Sequence, residues 1–225
     1  MTTRSFTVGI DAREVHHYYG IAQVMRQVIP RLAAGGCRLI LFVDRPPAAE
    51  SGLAEWPVTW EVLPASAWTG RGLWRLWRAM RRHRIELYHL MGDLRTVSAP
   101  FCCFRVPSVV TLYDFFHGDY WDHPGPAWWF RRWSWRAARR CAWFVAISEF
   151  SRQELLARHP ELASRSRVQY LGADPGPSIS SAVITPSRYF LSVGADERKN
   201  LDTVLEAWAA SRYPGEWVVV GDPGD

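Results

Sequence analysis

The sequence predicts an α/β fold in which a Rossmann-like parallel sheet is covered by helices on both faces. Short, continuously apolar segments alternate with helical segments along the chain, and such strands are typical of parallel sheets buried on both sides. This alternation is interrupted near residue 173 by a segment rich in Gly, Pro and Ser, after which a new strand–helix–strand pattern starts. We therefore expect one Rossmann-like domain followed by an incomplete second unit of the same class.

Each element of the first domain has its own signal in the sequence. Apolar runs predict strands at 5–10, 38–43, 58–63, 87–90, 108–112, 142–147 and 167–170. Apolar periodicity predicts helices at 21–34, 72–83 and 127–141, the first of them closed by Gly35 and Gly36. Another helix opens at Ser148, has a capping-box spacing from Ser151 to Glu154, and ends near Pro160.

The domain organisation follows from the break in this pattern. Residues 1–172 form the first domain, 173–187 a linker, and 188–225 the start of a second domain with a strand at 189–193, a helix at 201–211 and a strand at 217–220. A single β-α-β unit is too small to bury both faces of its sheet. We therefore expect the chain to be truncated inside its second domain.

The composition limits the class of protein. Hydrophobic residues make up 48% of the chain, enough for a packed core and against disorder. The sequence has neither a long apolar run that would span a membrane nor a signal peptide, so we expect a cytoplasmic protein. The four cysteines have no zinc-site spacing and are expected to be reduced, and we expect no bound metal.

The net charge of +5 is concentrated in two arginine clusters, at 71–84 and 131–140, both rich in tryptophan. On the predicted helix at 72–83, Leu73, Leu76, Trp77 and Met80 share one face opposite the arginines. An aromatic–basic surface suits the headgroups of an anionic membrane, on whose inner face the protein would be peripheral. The alternative is a helix that packs its tryptophans on the sheet and solvates its arginines. No nucleic-acid-binding module accompanies the charge, so nucleic acid is not an expected partner.

Several polar residues follow predicted strands, where ligands of open parallel sheets bind. These residues are Gly20, Tyr113, Asp114, Ser148 and Glu149, and they can converge on one crevice. Gly20 either admits a close approach of the backbone to a sugar or phosphate, or only permits a turn. Asp114 either orients an acceptor hydroxyl or caps a nearby helix or loop.

An ordered set of motifs resembles the family 4 glycosyltransferases of the two-Rossmann (GT-B) type. The matching segments are GIDAREVHHYYGIAQVMRQVIPRL at 9–32, VVTLYDFF at 109–116, FVAISEFSRQEL at 144–155, VQYLGADP at 168–175 and YFLSVGADERKNLDTVLEAW at 189–208. They span nearly the whole chain. The likeness is greatest to the bacterial branch that transfers mannose or related sugars to lipid-linked or polysaccharide acceptors.

This resemblance implies a retaining transfer from a nucleotide-sugar, such as a GDP- or UDP-sugar, with no cofactor or metal. It implies catalytic roles for Asp114 and Tyr113. It also implies acceptor-loop contacts from Gly20, Ile21, Ser148 and Glu149, and contacts to the diphosphate from Gly194, Arg198, Lys199 and Asn200. The alternative is that Arg198, Lys199 and Asn200 form only a solvated basic turn, in which Asn200 caps the next helix.

The chain departs from the family pattern in places that bear on catalysis. Many members have His where this chain has Tyr113, and a tyrosine hydroxyl is a poor base near neutral pH. The family's Gly-x-Gly-Ile-Gly loop is here Tyr18-Tyr19-Gly20-Ile21-Ala22. The family's two glutamates, separated by seven residues, would lie past Asp225. We therefore expect this fragment to be inactive or nearly so.

Two alternatives remain open beside the transferase hypothesis. The chain could be a non-catalytic remnant that binds carbohydrate or lipid through its acceptor domain, and the glutamate pair would discriminate between these two functions. A nicotinamide-dependent dehydrogenase is disfavoured because no GxGxxG follows the first strand.

Overall fold

The computed structural model describes residues 6–17, 20–64, 73–92, 106–114, 136, 139, 142–172, 189–194 and 200–221. The expected linker at 173–187, the loop residues Tyr18 and Tyr19, and the expected diphosphate ligands Arg198 and Lys199 lie outside these ranges. Of the helix expected at 127–141, only Arg136 and Arg139 are described as helical. The chain divides into two compact units, Met1–Gly172 and Ala173–Asp225.

The first unit contains a parallel sheet of seven strands in the order β3-β2-β1-β4-β5-β6-β7. The strands are β1 Thr7–Asp11, β2 Arg38–Val43, β3 Thr59–Val62, β4 Leu87–Leu90, β5 Ser108–Leu112, β6 Ala142–Ala146 and β7 Ser166–Val168. The helices are α1 Gly20–Ala34, α2 Leu73–His83 and α3 Glu149–Arg158. This architecture confirms the predicted α/β class with a Rossmann-like parallel sheet.

Alternation along the strands builds a separate core on each face of the sheet. On β2, Leu39 and Leu41 belong to one core and Ile40 and Phe42 to the other, and all four are buried. Helix α1 covers the first face, whereas α2 and α3 cover the second. Because successive residues of a strand point to opposite faces, strands this apolar must be covered on both sides.

Helix α2 packs on the sheet through Leu76, Ala79 and Met80, which are all buried. Trp77 does not share this buried face as its spacing predicted, because it is 37% exposed and the Arg81 guanidinium lies 5.2 Å from its ring centroid. Trp74 is 51% exposed. The Arg75 and Arg78 guanidinium groups lie 5.7 and 5.5 Å from the Trp74 ring centroid. Arginines therefore stack on both tryptophans at the surface.

Helix α3 opens at Ser148, as predicted. Ser148 is the N-cap, and its hydroxyl accepts a hydrogen bond from the backbone N–H of Ser151 at 3.1 Å. Ser151 lies inside the helix rather than at its N-cap, and its hydroxyl donates to the Tyr113 carbonyl at 2.8 Å. The helix ends at His159, before Pro160, as predicted.

The described residues of the second unit form a strand–helix–strand pattern. Strands β8 (Tyr189–Val193) and β9 (Glu216–Val220) pair in parallel, and helix α4 (Leu201–Ser211) connects them. Leu191, Val193 and Val220 are all more than half exposed.

None of the helices in the described part of the chain combines the length and the apolar character that a bilayer crossing needs.

Candidate functional site

The strand order places a topological switch point at the carboxyl end of β1. Strand β1 lies between β2 and β4, and the helix that follows β1 covers one face while the helix before β4 covers the other. The connections from β1 to β2 and from β3 to β4 thus lie on opposite faces of the sheet. Such a switch point is where open parallel sheets bind their ligands.

An ion pair lies at this switch point. Asp11 is the last residue of β1, and its carboxylate accepts hydrogen bonds from Arg13 Nε at 2.9 Å and Nη2 at 2.7 Å. The Asp11 side chain is 2% exposed and that of Arg13 is 16% exposed. Burial alone would lower the pKa of Arg13, but the Asp11 carboxylate raises it above its ordinary value. The pair therefore fixes a cation at the end of β1.

Gly20 and Ile21 begin helix α1 beyond this pair. Gly20 is exposed, its φ lies outside the left-handed region, and a Cβ added there would meet nothing within 4 Å. The backbone conformation at this position therefore does not require glycine. Ile21 packs against the core on the α1 side, so its side chain has a structural role.

Tyr113 and Asp114 follow β5 directly. Asp114 is exposed, whereas the Tyr113 hydroxyl is buried and has no hydrogen-bond partner among the described residues. Burial raises the pKa of this hydroxyl above its ordinary value, so Tyr113 is neutral at physiological pH. It can donate or accept a hydrogen bond but cannot act as a base.

Ser148 and Glu149 follow β6 at the next position along the sheet. The Ser148 side chain is used to cap α3. The Glu149 carboxylate is 46% exposed and lies within 3.4 Å of Arg152 on the same helix. The bond from Ser151 to the Tyr113 carbonyl links helix α3 to the residue after β5, and the two polar pairs follow adjacent parallel strands.

A partly buried polar contact joins strands β4 and β5 behind this edge. His89 of β4 lies with its Nε2 atom 2.9 Å from the Thr111 hydroxyl of β5. Burial lowers the pKa of His89 to about 4. The imidazole is therefore neutral at physiological pH and serves as a hydrogen-bonding group.

In the second unit, Gly194 and Asn200 lie at either end of the segment that holds Arg198 and Lys199. Gly194 has φ +87°, which favours glycine, and its N–H donates to the Val220 carbonyl at 2.7 Å. Asn200 is the N-cap of α4, with left-handed backbone and no side-chain cap to a backbone N–H; its Oδ1 accepts from the Thr203 hydroxyl at 2.9 Å.

The described contacts join some of the expected site residues and not others. No hydrogen bond or ion pair among the described residues links Gly20 to Tyr113 or Glu149. Sequence reasoning missed the Asp11–Arg13 pair and the role of Ser151. The sequence contained a signal for the Asp11–Arg13 pair, because these two oppositely charged residues directly follow the predicted strand at 5–10.

Solved structures share this fold at low sequence identity. The Anabaena protein Alr3699/HepE, solved in complex with UDP and glucose, matches with a TM-score of 0.69 and 16% identity over 97% of this chain and 61% of that chain. A glycosyltransferase from Rickettsia africae matches with a TM-score of 0.58 and 12% identity over 99% of this chain and 70% of that chain. The lipopolysaccharide outer core galactosyltransferase WaaB matches with a TM-score of 0.52 and 14% identity over 96% of this chain and 60% of that chain.

The chain spans about three fifths of the length of the Anabaena protein. Comparison with curated protein sequences gives no match. The family comparison covers most of the chain, since residues 18–176 match Glycosyltransferase Family 4. The matched region runs from the loop after β1 through β7, and so includes Gly20, Tyr113, Asp114, Ser148 and Glu149. The chain belongs to glycosyltransferase family 4.

Proposed function

We propose that this protein takes part in a retaining transfer of a sugar from a nucleotide-sugar to a glycan or lipid-linked acceptor. The first unit, 1–172, supplies the acceptor side, and 188–225 begins the nucleotide-sugar domain after a linker at 173–187. The observation that carries the proposal is the pairing of Tyr113–Asp114 with Ser148–Glu149 at the ends of adjacent parallel strands, joined by the Ser151–Tyr113 hydrogen bond.

On the acceptor side, Asp114 orients the attacking hydroxyl. Its carboxylate is exposed at the carboxyl end of β5, where a ligand has access. The Tyr113 hydroxyl supplies a neutral hydrogen bond, since burial keeps it protonated. Gly20 leaves open space at the start of α1, and the first N–H groups of a helix are suited to a phosphate or a sugar oxygen.

On the donor side, Arg198 and Lys199 neutralise the diphosphate between Gly194 and the start of α4 at Asn200. Charge-assisted hydrogen bonds from these residue types suit phosphate oxygens. Since the two cations balance the charge of the leaving group, the proposal calls for no metal.

In the transfer step, the acceptor hydroxyl oxygen forms a bond to the anomeric carbon of the donor sugar. The bond from that carbon to the diphosphate oxygen breaks, and the hydroxyl proton passes to the departing phosphate. Electrostatic stabilisation of that charge is the principal contribution that protein groups make to such a step.

We further propose that the transferred sugar is mannose-like and that the acceptor is lipid-linked or a polysaccharide. A peripheral contact with an anionic membrane accompanies it, through Trp74 and Trp77 of α2 and the arginines stacked on them. Exposed tryptophan beside arginine is favoured at the interface of anionic bilayers. Replacing both tryptophans with Ala should abolish flotation with anionic vesicles, whereas Trp143→Ala, which removes a tryptophan exposed on β6, should leave flotation unchanged.

The transfer proposal is tested with the protein purified from its native host. A panel of nucleotide-sugars with a labelled sugar is incubated with this protein and a membrane extract, and incorporation of label into lipid and polymer is counted. We expect one donor, a GDP- or UDP-sugar, to support incorporation, with the anomeric configuration of the donor retained in the product. Binding of carbohydrate without any transfer would favour the non-catalytic alternative.

A further inference from the structure

A cavity of about 420 Å³ lies away from the crevice, lined by Arg136, Arg139, Glu161 and Arg165. Its size is within the range of small-molecule sites, about 300–1,000 Å³. On the described part of the lining, three guanidinium groups face one carboxylate, so these four side chains together carry two net positive charges. We call this cavity the arginine pocket.

Contacts within the protein hold the arginine pocket in shape. Nη1 of Arg139 lies 3.0 Å from both His159 Nδ1 and Glu161 Oε1, and Arg165 donates to the Arg139 carbonyl. Burial, followed by the neighbouring Arg139 cation, lowers the pKa of His159, so the imidazole accepts from Arg139 without adding charge.

These contacts leave hydrogen-bonding capacity unused. Arg139 Nε has no acceptor among the described residues, and no described residue forms an ion pair with the exposed Arg136. Glu161 is the one carboxylate on the described lining, and its side chain is 51% exposed. On the described part of the lining, positive charge therefore exceeds negative charge.

The arginine pocket lies at the amino end of the sheet. Arg139 precedes β6 and Arg165 directly precedes β7, whereas Tyr113 and Ser148 follow β5 and β6. Strand β6 has five residues, and at about 3.3 Å per residue this separates its two ends by about 15 Å. The pocket is therefore distinct from the proposed acceptor crevice.

We propose that the arginine pocket binds a phosphate group, carried by a phosphate monoester or a diphosphate. Arginine matches phosphate because its planar fork donates two parallel hydrogen bonds to two oxygens. Arg136 is positioned to contact the ligand directly, while Arg139 and Arg165 are held by the protein. The phosphate is either that of a soluble metabolite or that of a lipid headgroup.

The binding test uses calorimetric titration of the 225-residue chain with pyrophosphate. We expect saturable binding that Arg136→Gln weakens about tenfold and Arg136→Lys weakens less, because Lys keeps the charge but loses the fork. The matched control is Arg38→Gln, which removes an exposed arginine at the amino end of β2. It should change the dissociation constant by less than about twofold, because three strands separate β2 from β6 and exposed charges at such a distance are screened.

A second arm separates the two sources of phosphate. The chain is floated with phosphatidylcholine vesicles that do or do not contain phosphatidic acid. Flotation that requires phosphatidic acid, falls in Arg136→Gln and is competed by pyrophosphate identifies a lipid headgroup. Pyrophosphate binding without such flotation identifies a soluble ligand. Binding of neither probe, or losses of equal size in Arg136→Gln and Arg38→Gln, would overturn the proposal.

Discussion

At the scale of single residues, burial acts differently on the charged and neutral groups at the carboxyl edge of the sheet. Arg13 keeps its charge because the Asp11 carboxylate accepts two of its hydrogen bonds, and removing one partner of a buried pair typically costs about 3–5 kcal/mol. Tyr113 and His89 are kept neutral. The edge thus offers one fixed cation and two neutral hydrogen-bonding groups.

Removal of the Tyr113 hydroxyl should affect the free energy of unfolding and the rate of sugar transfer differently. Tyr113→Phe removes a buried group that has no partner among the described residues, so the free energy of unfolding should change by less than about 0.5 kcal/mol or rise. Sugar transfer should fall, because the substrate loses a hydrogen bond. Urea unfolding and initial rates measure the two effects. A loss of more than about 2 kcal/mol with unchanged rates would assign Tyr113 a purely structural role.

His89 makes stability depend on pH. Its pKa is lowered to about 4 in the folded protein from an ordinary value of 6.5, so the unfolded chain binds the extra proton first as the pH falls. The stabilisation that comes from neutral His89 is fully present above about pH 6.5 and is lost as the pH falls toward 4. The free energy of unfolding can fall by at most about 3 kcal/mol through this group. Urea unfolding at several pH values should show this loss in the wild type and a smaller one in His89→Gln. Parallel profiles for the two proteins would contradict the assignment.

The sequence identified the residues at strand ends but not their contacts. Tyr113 and Asp114 were predictable because a polar pair follows a buried strand. The bond from Ser151 to the Tyr113 carbonyl was not, because it joins residues 38 positions apart and depends on how α3 packs beside β5. The roles of Arg198 and Lys199 stay a prediction.

At the scale of elements, strands were predicted closely because continuous apolar runs leave little choice of bounds. The face of α2 was predicted wrongly at Trp77. The apolar residues of α2 extend around much of the helix, but only the side with Leu76, Ala79 and Met80 is buried against the sheet. Large tryptophans are left outside, where arginines stack on them. Spacing alone does not indicate which arc meets the sheet.

Strand β1 requires a glycine at its centre. A Cβ on Gly9 would lie 2.8 Å from the Phe42 ring and 3.1 Å from Ile85, and Phe42 is fully buried. We expect Gly9→Ala to lower the free energy of unfolding by about 1–3 kcal/mol through overpacking. Gly20→Ala is the matched control, since its Cβ meets nothing within 4 Å and the residue is helical, so stability should hold or rise by up to about 1 kcal/mol. Equal effects in the two variants would contradict this account.

The N-cap of α3 gives a second prediction for an element. Ser148→Ala removes the acceptor of the Ser151 N–H and should cost about 1 kcal/mol in urea unfolding. Ser148→Asp keeps an acceptor at the N-cap and should restore most of that loss. If Ser148→Ala were as stable as the wild type, the cap would contribute nothing, and Ser148 would be better explained as a ligand contact.

At the scale of the whole molecule, function depends on what the sheet brings to each of its ends. The carboxyl end carries the proposed acceptor crevice, and the amino end carries the arginine pocket. The fold class could be predicted from the sequence, because strand–helix alternation with buried strands permits few architectures. The arginine pocket could not, because it forms between residues on either side of β6, and sequence spacing does not show which charges share a cavity.

The central claim is that Asp114 orients the acceptor for sugar transfer. The most direct measurement compares the rate of label transfer from the preferred nucleotide-sugar for the native-host protein and its Asp114→Asn and Glu55→Gln variants. Glu55 is an exposed acidic residue on the connection between β2 and β3. We expect Asp114→Asn to reduce the rate by about 100-fold, because the acceptor hydroxyl loses its orientation, and Glu55→Gln to leave it unchanged. Undiminished transfer by Asp114→Asn would contradict the claim.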